Sequence, residues 1–330
     1  MKTRYGHGES AHLNTPIRHM VISDGMSADD LVAQMGGCGF GARHIAVATD
    51  ILEEMQQPGV YKLVGLAGAM VPAGMQRVIS DMIREGMIDA LVTTGANMTH
   101  DLIEATGGHH HQGNEFANDK ELKEQNIFRI YDVYLPKDSY LGGPNCFDET
   151  LSRIYESMDT DRTYSITEFM DHVGSMTPDK HSILRSAHDM HIPIYCPAIQ
   201  DSEIGMYAWW YNDAHPENNI SVDAFQDMKP IIKNCKEAEK TGALLLGGGV
   251  PKNYILQAAL LSRETGHDYV VQITMDRQET GGLSGATLEE AQSWGKVGHQ
   301  SKTMQVFCDT TIALPLMLAA VKQRMKAKKE

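Results

Sequence analysis

Three times in this chain a short apolar run stops at a loop of small residues and passes into a segment with helical spacing. Residues 61–67 (YKLVGLA) run into Gly68-Ala69-Met70-Val71-Pro72-Ala73-Gly74, after which Met75, Val78, Ile79, Met82 and Ile83 recur at helical intervals, with Pro72 placed to open the helix. Residues 88–92 (IDALV) enter Thr93-Thr94-Gly95-Ala96-Asn97, with a helix expected from Thr99 or Asp101. Residues 243–246 (ALLL) enter Gly247-Gly248-Gly249, and Pro251 opens a helix carrying Ile255, Ala258, Ala259 and Leu261. An apolar strand too short to alternate, followed by a helix, repeats only where strands lie parallel and helices cover both faces. The expected fold is therefore α/β: a doubly wound, mostly parallel, Rossmann-like sheet.

The remaining segments extend the same pattern. Ser27-Ala28-Asp29-Asp30 caps a helix near 28–36. Residues 191–196 (HIPIYC) form a strand that Pro193 assigns to an edge or to an early position. A helix over 224–240, a strand over 268–274, a helix over 288–294, a strand over 303–308 and a helix over 312–326 complete the chain. Residues 107–164, rich in His, Asn, Asp, Gly and Pro, read as a loop-rich excursion with short strands inside one unit spanning 1–330. The basic tail (Lys322, Arg324, Lys326, Lys328, Lys329) reads as a solvated helix end.

Charge and composition remove several function classes. The 29 Lys plus Arg stand against 43 Asp plus Glu, a net charge of −14, so the surface repels phosphate backbones and attracts cations. Nucleic acid is not expected as a partner; a polyamine is. No apolar run reaches membrane-spanning length, and the first seven residues lack the apolar core of a secretory signal. The expected compartment is the cytoplasm. The five cysteines are scattered without C-x-x-C spacing and read as reduced, mostly buried thiols.

Ligands of an open parallel sheet bind beyond the carboxyl ends of its strands. The three small-residue loops lie there and leave room for a dinucleotide pyrophosphate, yet none is a G-x-G-x-x-G fingerprint, and glycines after strands also serve as turn formers. A second concentration of chemistry lies at 281–296 (GGLSGATLEEAQSWGK). Glu290 and Trp294 are four apart and share a helix face, where a carboxylate and an indole can clamp an ammonium. Lys296 follows; beside an aromatic wall it can shed hydration and act as an uncharged nucleophile, although a surface lysine next to a core Trp is the commoner meaning of such a pattern. His109, His110 and His111 cannot all face one ion from a regular strand, so they read as loop polarity, and no metal site is expected.

These residues resemble the deoxyhypusine synthase family. The resemblance rests on Val92-Thr93-Thr94-Gly95, on Ile192-Pro193-Ile194-Tyr195-Cys196-Pro197-Ala198 with Asp201, and on Gly247-Gly248-Gly249-Val250-Pro251-Lys252. Ser284-Gly285-Ala286 with Glu290, Ser293-Trp294-Gly295-Lys296 and Cys308-Asp309 complete it. It implies an NAD-dependent homotetramer in which spermidine is oxidised, 1,3-diaminopropane leaves, and the aminobutyl unit is held as an imine on Lys296 before transfer to an acceptor amine. It assigns substrate contacts to Glu290, Trp294, Asn253, Gly281, Gly282 and Glu203. It assigns cofactor contacts to Gly68, Ala69, Pro72, Thr94, Gly95, Ala96, His100, Asp201, Gly248, Asp309 and Thr310.

The chain also departs from the family pattern. Thr99 and His100 stand where adjacent glutamates are usual, Met206 and Leu283 replace polyamine-binding carboxylates, and Asn253 replaces a substrate-contacting histidine; Glu203 can compensate for Met206. The acceptor therefore stays open between a lysine of a translation factor and a free diamine such as putrescine, which would give homospermidine. A non-catalytic sensor of polyamine or dinucleotide is the reading from a different class.

Overall fold

The computed structural model describes residues 15–141 and 146–328. The readings of the first seven residues, of Gly142 to Asn145 and of Lys329 lie outside them. Helices α1 (Ala28–Met35) and α2 (Phe40–Met55) precede β1 (Val60–Leu66), α3 (Gln76–Arg84), β2 (Ala90–Thr93) and α4 (Gly95–Ala105). The excursion holds β3 (His111–Gln112), α5 (Asp119–Glu124), β4 (Ile127–Ile130), β5 (Val133–Pro136), α6 (Phe147–Glu156) and β6 (Thr163–Tyr164). Then come α7 (Ile166–Met176), α8 (Ile183–Asp189), β7 (Ile194–Tyr195), α9 (Glu203–Ala214), β8 (Ser221–Val222) and α10 (Met228–Glu237). The last units are β9 (Lys240–Leu246), α11 (Gly249–Ser262), β10 (His267–Thr274), α12 (Leu288–Ser293), β11 (Val297–Phe307) and α13 (Thr310–Ala327).

Six strands form one parallel sheet in the order β11-β10-β9-β1-β2-β7. Its residues alternate between two apolar layers. Leu63, Ala90, Val92, Ala243, Leu245 and Val270 meet Ile231 and Cys235 of α10 and Ile255, Leu256 and Ala258 of α11. Their neighbours Val64, Leu66, Leu91, Leu244, Leu246 and Val271 meet Ile51, Leu52 and Met55 of α2 and Leu314, Met317 and Val321 of α13. Each Val, Leu, Ile or Met among them contributes roughly 1.5–3 kcal/mol on burial, which is why the apolar runs have no polar face. β7 lies at the sheet edge, as Pro193 requires.

Local chemistry explains where the elements differ from expectation. Ser27 caps α1 as expected: its Oγ accepts from Asp30 N at 3.1 Å and Asp30 accepts from Ser27 N at 3.0 Å. Pro72 lies in a turn, and α3 starts only at Gln76. α4 starts at Gly95, earlier than Thr99, because Thr94 caps it by accepting from Asn97 N. The segment 224–240 divides into a 3-10 turn, α10 and the first residue of β9; β11 begins at Val297, six residues before the expected start. The excursion is better ordered than a loop, with a three-stranded antiparallel sheet β3-β5-β4 and two helices.

Two further expectations are corrected. Of the five free cysteines only Cys196 and Cys235 are buried. The basic tail is not a solvated end: Arg324 reaches Asp29 at 2.5 Å, Asp50 at 2.7 Å and Glu53 at 3.0 Å, and Lys328 reaches Glu53 at 2.6 Å, so α13 is clamped to α1 and α2. Among the described residues no helix is long and apolar enough to cross a membrane.

Candidate active site

Parallel strands bring the ends of β1, β2, β7, β9, β10 and β11 to one edge of the sheet, with the loops at Gly68, Thr94, Cys196, Gly247, Met275 and Cys308 along it. Two loop pairs touch closely enough to exclude a side chain. A Cβ on Gly95 would overlap Ser202, and one on Gly248 would overlap Ser284, so only glycine lets each pair meet. Ser202, which caps α9 and directly follows Asp201, meets Gly95 at the start of α4. Gly68, Ala69, Ala96 and Asp201 are exposed, and Pro72 is buried. The first turn of α4 has opening amides without helical partners, a setting suited to a phosphate. Asp309 is engaged already: it caps α13, accepting from Thr311 N at 2.7 Å and Thr311 Oγ1 at 2.6 Å, while Thr310 is buried.

Lys296 is held from both directions along the chain. α12 ends at Ser293 with Trp294 as its cap, Gly295 adopts φ +74°, Gly295 N donates to Gln292 O at 2.9 Å and Lys296 N to Ala291 O at 3.1 Å. This is the Schellman ending, and only glycine takes its left-handed position cheaply. Lys296 O then accepts from His267 N at 3.2 Å, where β11 joins β10. With its backbone fixed, Lys296 sends Nζ to the Asn253 side-chain oxygen at 3.1 Å, 5.8 Å from the centroid of the Trp294 ring. Trp294 is 65% exposed and Glu290 is exposed on the same short helix, so an ammonium can approach both from solvent. Gly281 and Gly282 lie exposed in the loop before it.

The sequence reading missed Lys252 and Gln272. Lys252 is 3% exposed, and its Nζ donates to Gln272 Oε1 at 3.0 Å and to Ala286 O at 2.5 Å. Burial pushes its ammonium down to about 8; the charge of Glu290 opposes that shift and the charge of Lys296 adds to it, so the three form one electrostatic cluster. Gln272 Nε2 donates to Gly247 O and Ser284 O, both at 2.9 Å. Its position in an otherwise apolar strand (DYVVQIT) was the available signal, since a buried amide must find partners.

The remaining assigned residues gather elsewhere. Glu203 and His100 line a cavity of about 420 Å³ between α9, α4 and the small sheet, walled by Phe128, Tyr140, Tyr207 and Trp210, with Met206 at its side. Among the described residues no hydrogen bond, ion pair or ring contact joins this cavity to Lys296, Asn253, Trp294 or Glu290. The substrate contacts assigned from the sequence thus divide into two groups. His110, read as loop polarity, is largely buried against Glu104 and His100.

Comparison with known proteins gives a consistent result. The family model for deoxyhypusine synthase matches residues 30–321. A Methanosarcina acetivorans protein named "Probable deoxyhypusine synthase 1" is 50% identical over 314 residues, covering 95% of this chain and 96% of that protein. A Methanosarcina mazei protein of the same name is 49% identical over 320 residues, covering 96% and 98%. The solved structure of a "putative deoxyhypusine synthase" from Entamoeba histolytica superposes with a TM-score of 0.61 at 16% identity, over 90% of this chain and 93% of that one, a likeness of fold.

Proposed function

The chain belongs to the deoxyhypusine synthase family and is a transferase, and we propose that it moves an aminobutyl unit from spermidine to an acceptor amine through an imine on Lys296, with NAD as cofactor. The observation that carries this reading is the fixed Lys296 amine, pinned through its backbone and hydrogen-bonded to Asn253 beside the open Trp294 face.

The residues suit the roles. A nucleophilic lysine must present a free amine to an electrophilic carbon and must not wander, and the Schellman turn with the β11 junction supplies that constraint. Glu290 and the indole of Trp294 attract the ammonium end of a polyamine and orient the chain along α12. Asn253 holds the lysine amine without titrating. Lys252 joins the Ala286 segment to β10 and keeps that wall in place.

The loops at Gly68, Ala69, Pro72, Thr94, Gly95, Ala96, Asp201, Gly248 and Thr310 suit NAD, because they combine small residues at strand ends with the opening turn of α4. When bound, NAD supplies the hydride acceptor that makes an amine carbon electrophilic. Asp309, committed to its cap, would serve that group through the position of α13. By likeness to the family we assign a homotetramer working in the cytoplasm.

The test is incubation with spermidine and NAD followed by borohydride reduction and peptide mass analysis. The expected result is an aminobutyl adduct on Lys296 that is absent in Lys296→Arg; turnover undiminished in that variant would end the proposal. Adding either putrescine or a translation factor identifies the acceptor. The exposed Met206 and Leu283, each without a charge to offer, favour the small diamine.

A further inference from the structure

His267, the first residue of β10, is fully buried and has a partner for every polar group it carries. Its N donates to Lys296 O at 3.2 Å and its carbonyl accepts from Ser301 Oγ. On the ring, Nδ1 lies 3.0 Å from Thr241 Oγ1 of β9 and Nε2 lies 3.1 Å from Ile255 O of α11. The preceding Gly266 sits flush against the lysine: at φ +66° it has no Cβ, and one placed there would overlap the Lys296 carbonyl.

The sheet itself does little to hold this end of β11. The β10–β11 ladder pairs His267 with Val297, breaks, and resumes only at Tyr269 with Lys302, so that β11 advances five residues while β10 advances two. Lys296 is thereby cut off from the long part of the ladder and depends on what His267 gives it. A carbonyl oxygen can only accept, so Nε2 carries the proton and donates to Ile255 O, and the bare Nδ1 accepts from the Thr241 hydroxyl. Burial pushes the imidazole down to about 4, which keeps this neutral form near pH 7. Ile255 lies two residues after Asn253, whose side-chain oxygen takes the Lys296 amine at 3.1 Å. The Lys252–Gln272 bond joins α11 to β10 nearer the other end of that strand, so the ring sets α11 at the Lys296 end.

We propose that His267 is a positioning residue for Lys296: its backbone seats the carbonyl of the lysine, and its Nε2–H seats the helix that carries Asn253, the acceptor of the lysine amine. One side chain then fixes both members of the pair relative to each other, and the bond to Ile255, not the one to Thr241, carries the effect. The inference rests on the reading of Lys296 as the amine nucleophile.

Two variants of the full chain separate the ring contacts. His267→Gln places an amide N–H where Nε2 stands and keeps the bond to Ile255; His267→Asn reaches only the Nδ1 position and keeps the contact with Thr241 alone. The first readout needs no substrate: acetylation of Lys296 by acetic anhydride, followed by peptide mass analysis. An amine freed from its hydrogen bond is labelled faster, so His267→Asn and Asn253→Ala should each raise the Lys296 rate about threefold, while His267→Gln keeps the wild-type rate. With spermidine and NAD, borohydride trapping on Lys296 should slow about tenfold in His267→Asn while KM for spermidine stays within about twofold of wild type, because Glu290 and Trp294 are untouched. Thr241→Val should lower the melting temperature and leave labelling and trapping as they are. Gly266→Ala displaces the Lys296 carbonyl directly and should reproduce the His267→Asn signature, which covers the case of an unfolded Asn variant. Wild-type labelling in His267→Asn or Gly266→Ala, equal rates in the Gln and Asn variants, or a Thr241→Val chain that behaves like His267→Asn would overturn the inference. The expected labelling pattern together with no adduct in wild type would end the transfer reading and leave the role of His267 standing, so the two failures are separately visible.

Discussion

The Lys252 ammonium, buried beneath the loop before α12, donates to the Gln272 side-chain oxygen of β10 at 3.0 Å. A charge in that position is held against its own desolvation, and the balance is readable as stability. The folded-state value is depressed from 10.5 to about 8, so between those values the folded chain binds fewer protons than the unfolded chain and stability rises with pH. From pH 8 to 9.5 the gain should be about 1–2 kcal/mol. Urea unfolding across that window should show the rise in wild type and not in Lys252→Met; the same slope in both would refute the assignment.

Trp294 faces solvent more than the core. At 65% exposure its truncation leaves the fold nearly unchanged, whereas the lost cation contact is worth ~1 kcal/mol. Trp294→Ala should raise KM for spermidine about fivefold and shift the melting temperature by less than about 2 °C. A large loss of stability would mean that the indole packs as core.

Gly95→Ala tests the closeness of α4 and α9. The added methyl overlaps Ser202, so the two helix starts must part or the chain must strain, at a cost of about 1–3 kcal/mol. Calorimetry should show that loss together with weakened NAD binding. Ser202→Gly in the same chain, which removes the overlapping atoms at the expense of the α9 cap, should recover part of the NAD affinity.

Arg324→Ala should cost ~2 kcal/mol in thermal or urea unfolding, because it leaves Asp29, Asp50 and Glu53 without their shared cation. Catalytic constants measured well below the melting temperature should stay within about twofold of wild type, since the clamp lies at the far end of α13 from Asp309.

How much of this was legible beforehand depended on the range of the interactions involved. β1, β9 and β10 follow from short runs dominated by apolar residues, and α12 with its Trp-Gly-Lys ending follows from local spacing. The start of α4 was missed because Thr94-Gly95 reads equally as a turn until its cap is seen. α2, α7, α8 and α9 were not assigned; Ser165 with Glu168 was an available capping box for α7, while the aromatic run of α9 shows no single apolar face. Lys252 escaped because its partners lie 20 and 34 residues away, a distance no periodicity encodes. Glu104 escaped as the partner of His110 for a related reason: the turn at 106–108 folds the histidines back onto the helix that precedes them.

Gln272 uses its single amide nitrogen to hold the carbonyls of Gly247 and Ser284 together. A ligand that displaces either segment must therefore displace its neighbour, so occupancy at the end of β9 would be felt at the approach to α12 without any hinge between them. Cofactor seating and the attitude of the segment leading to Lys296 would then vary in step, as two edges of one rigid plate.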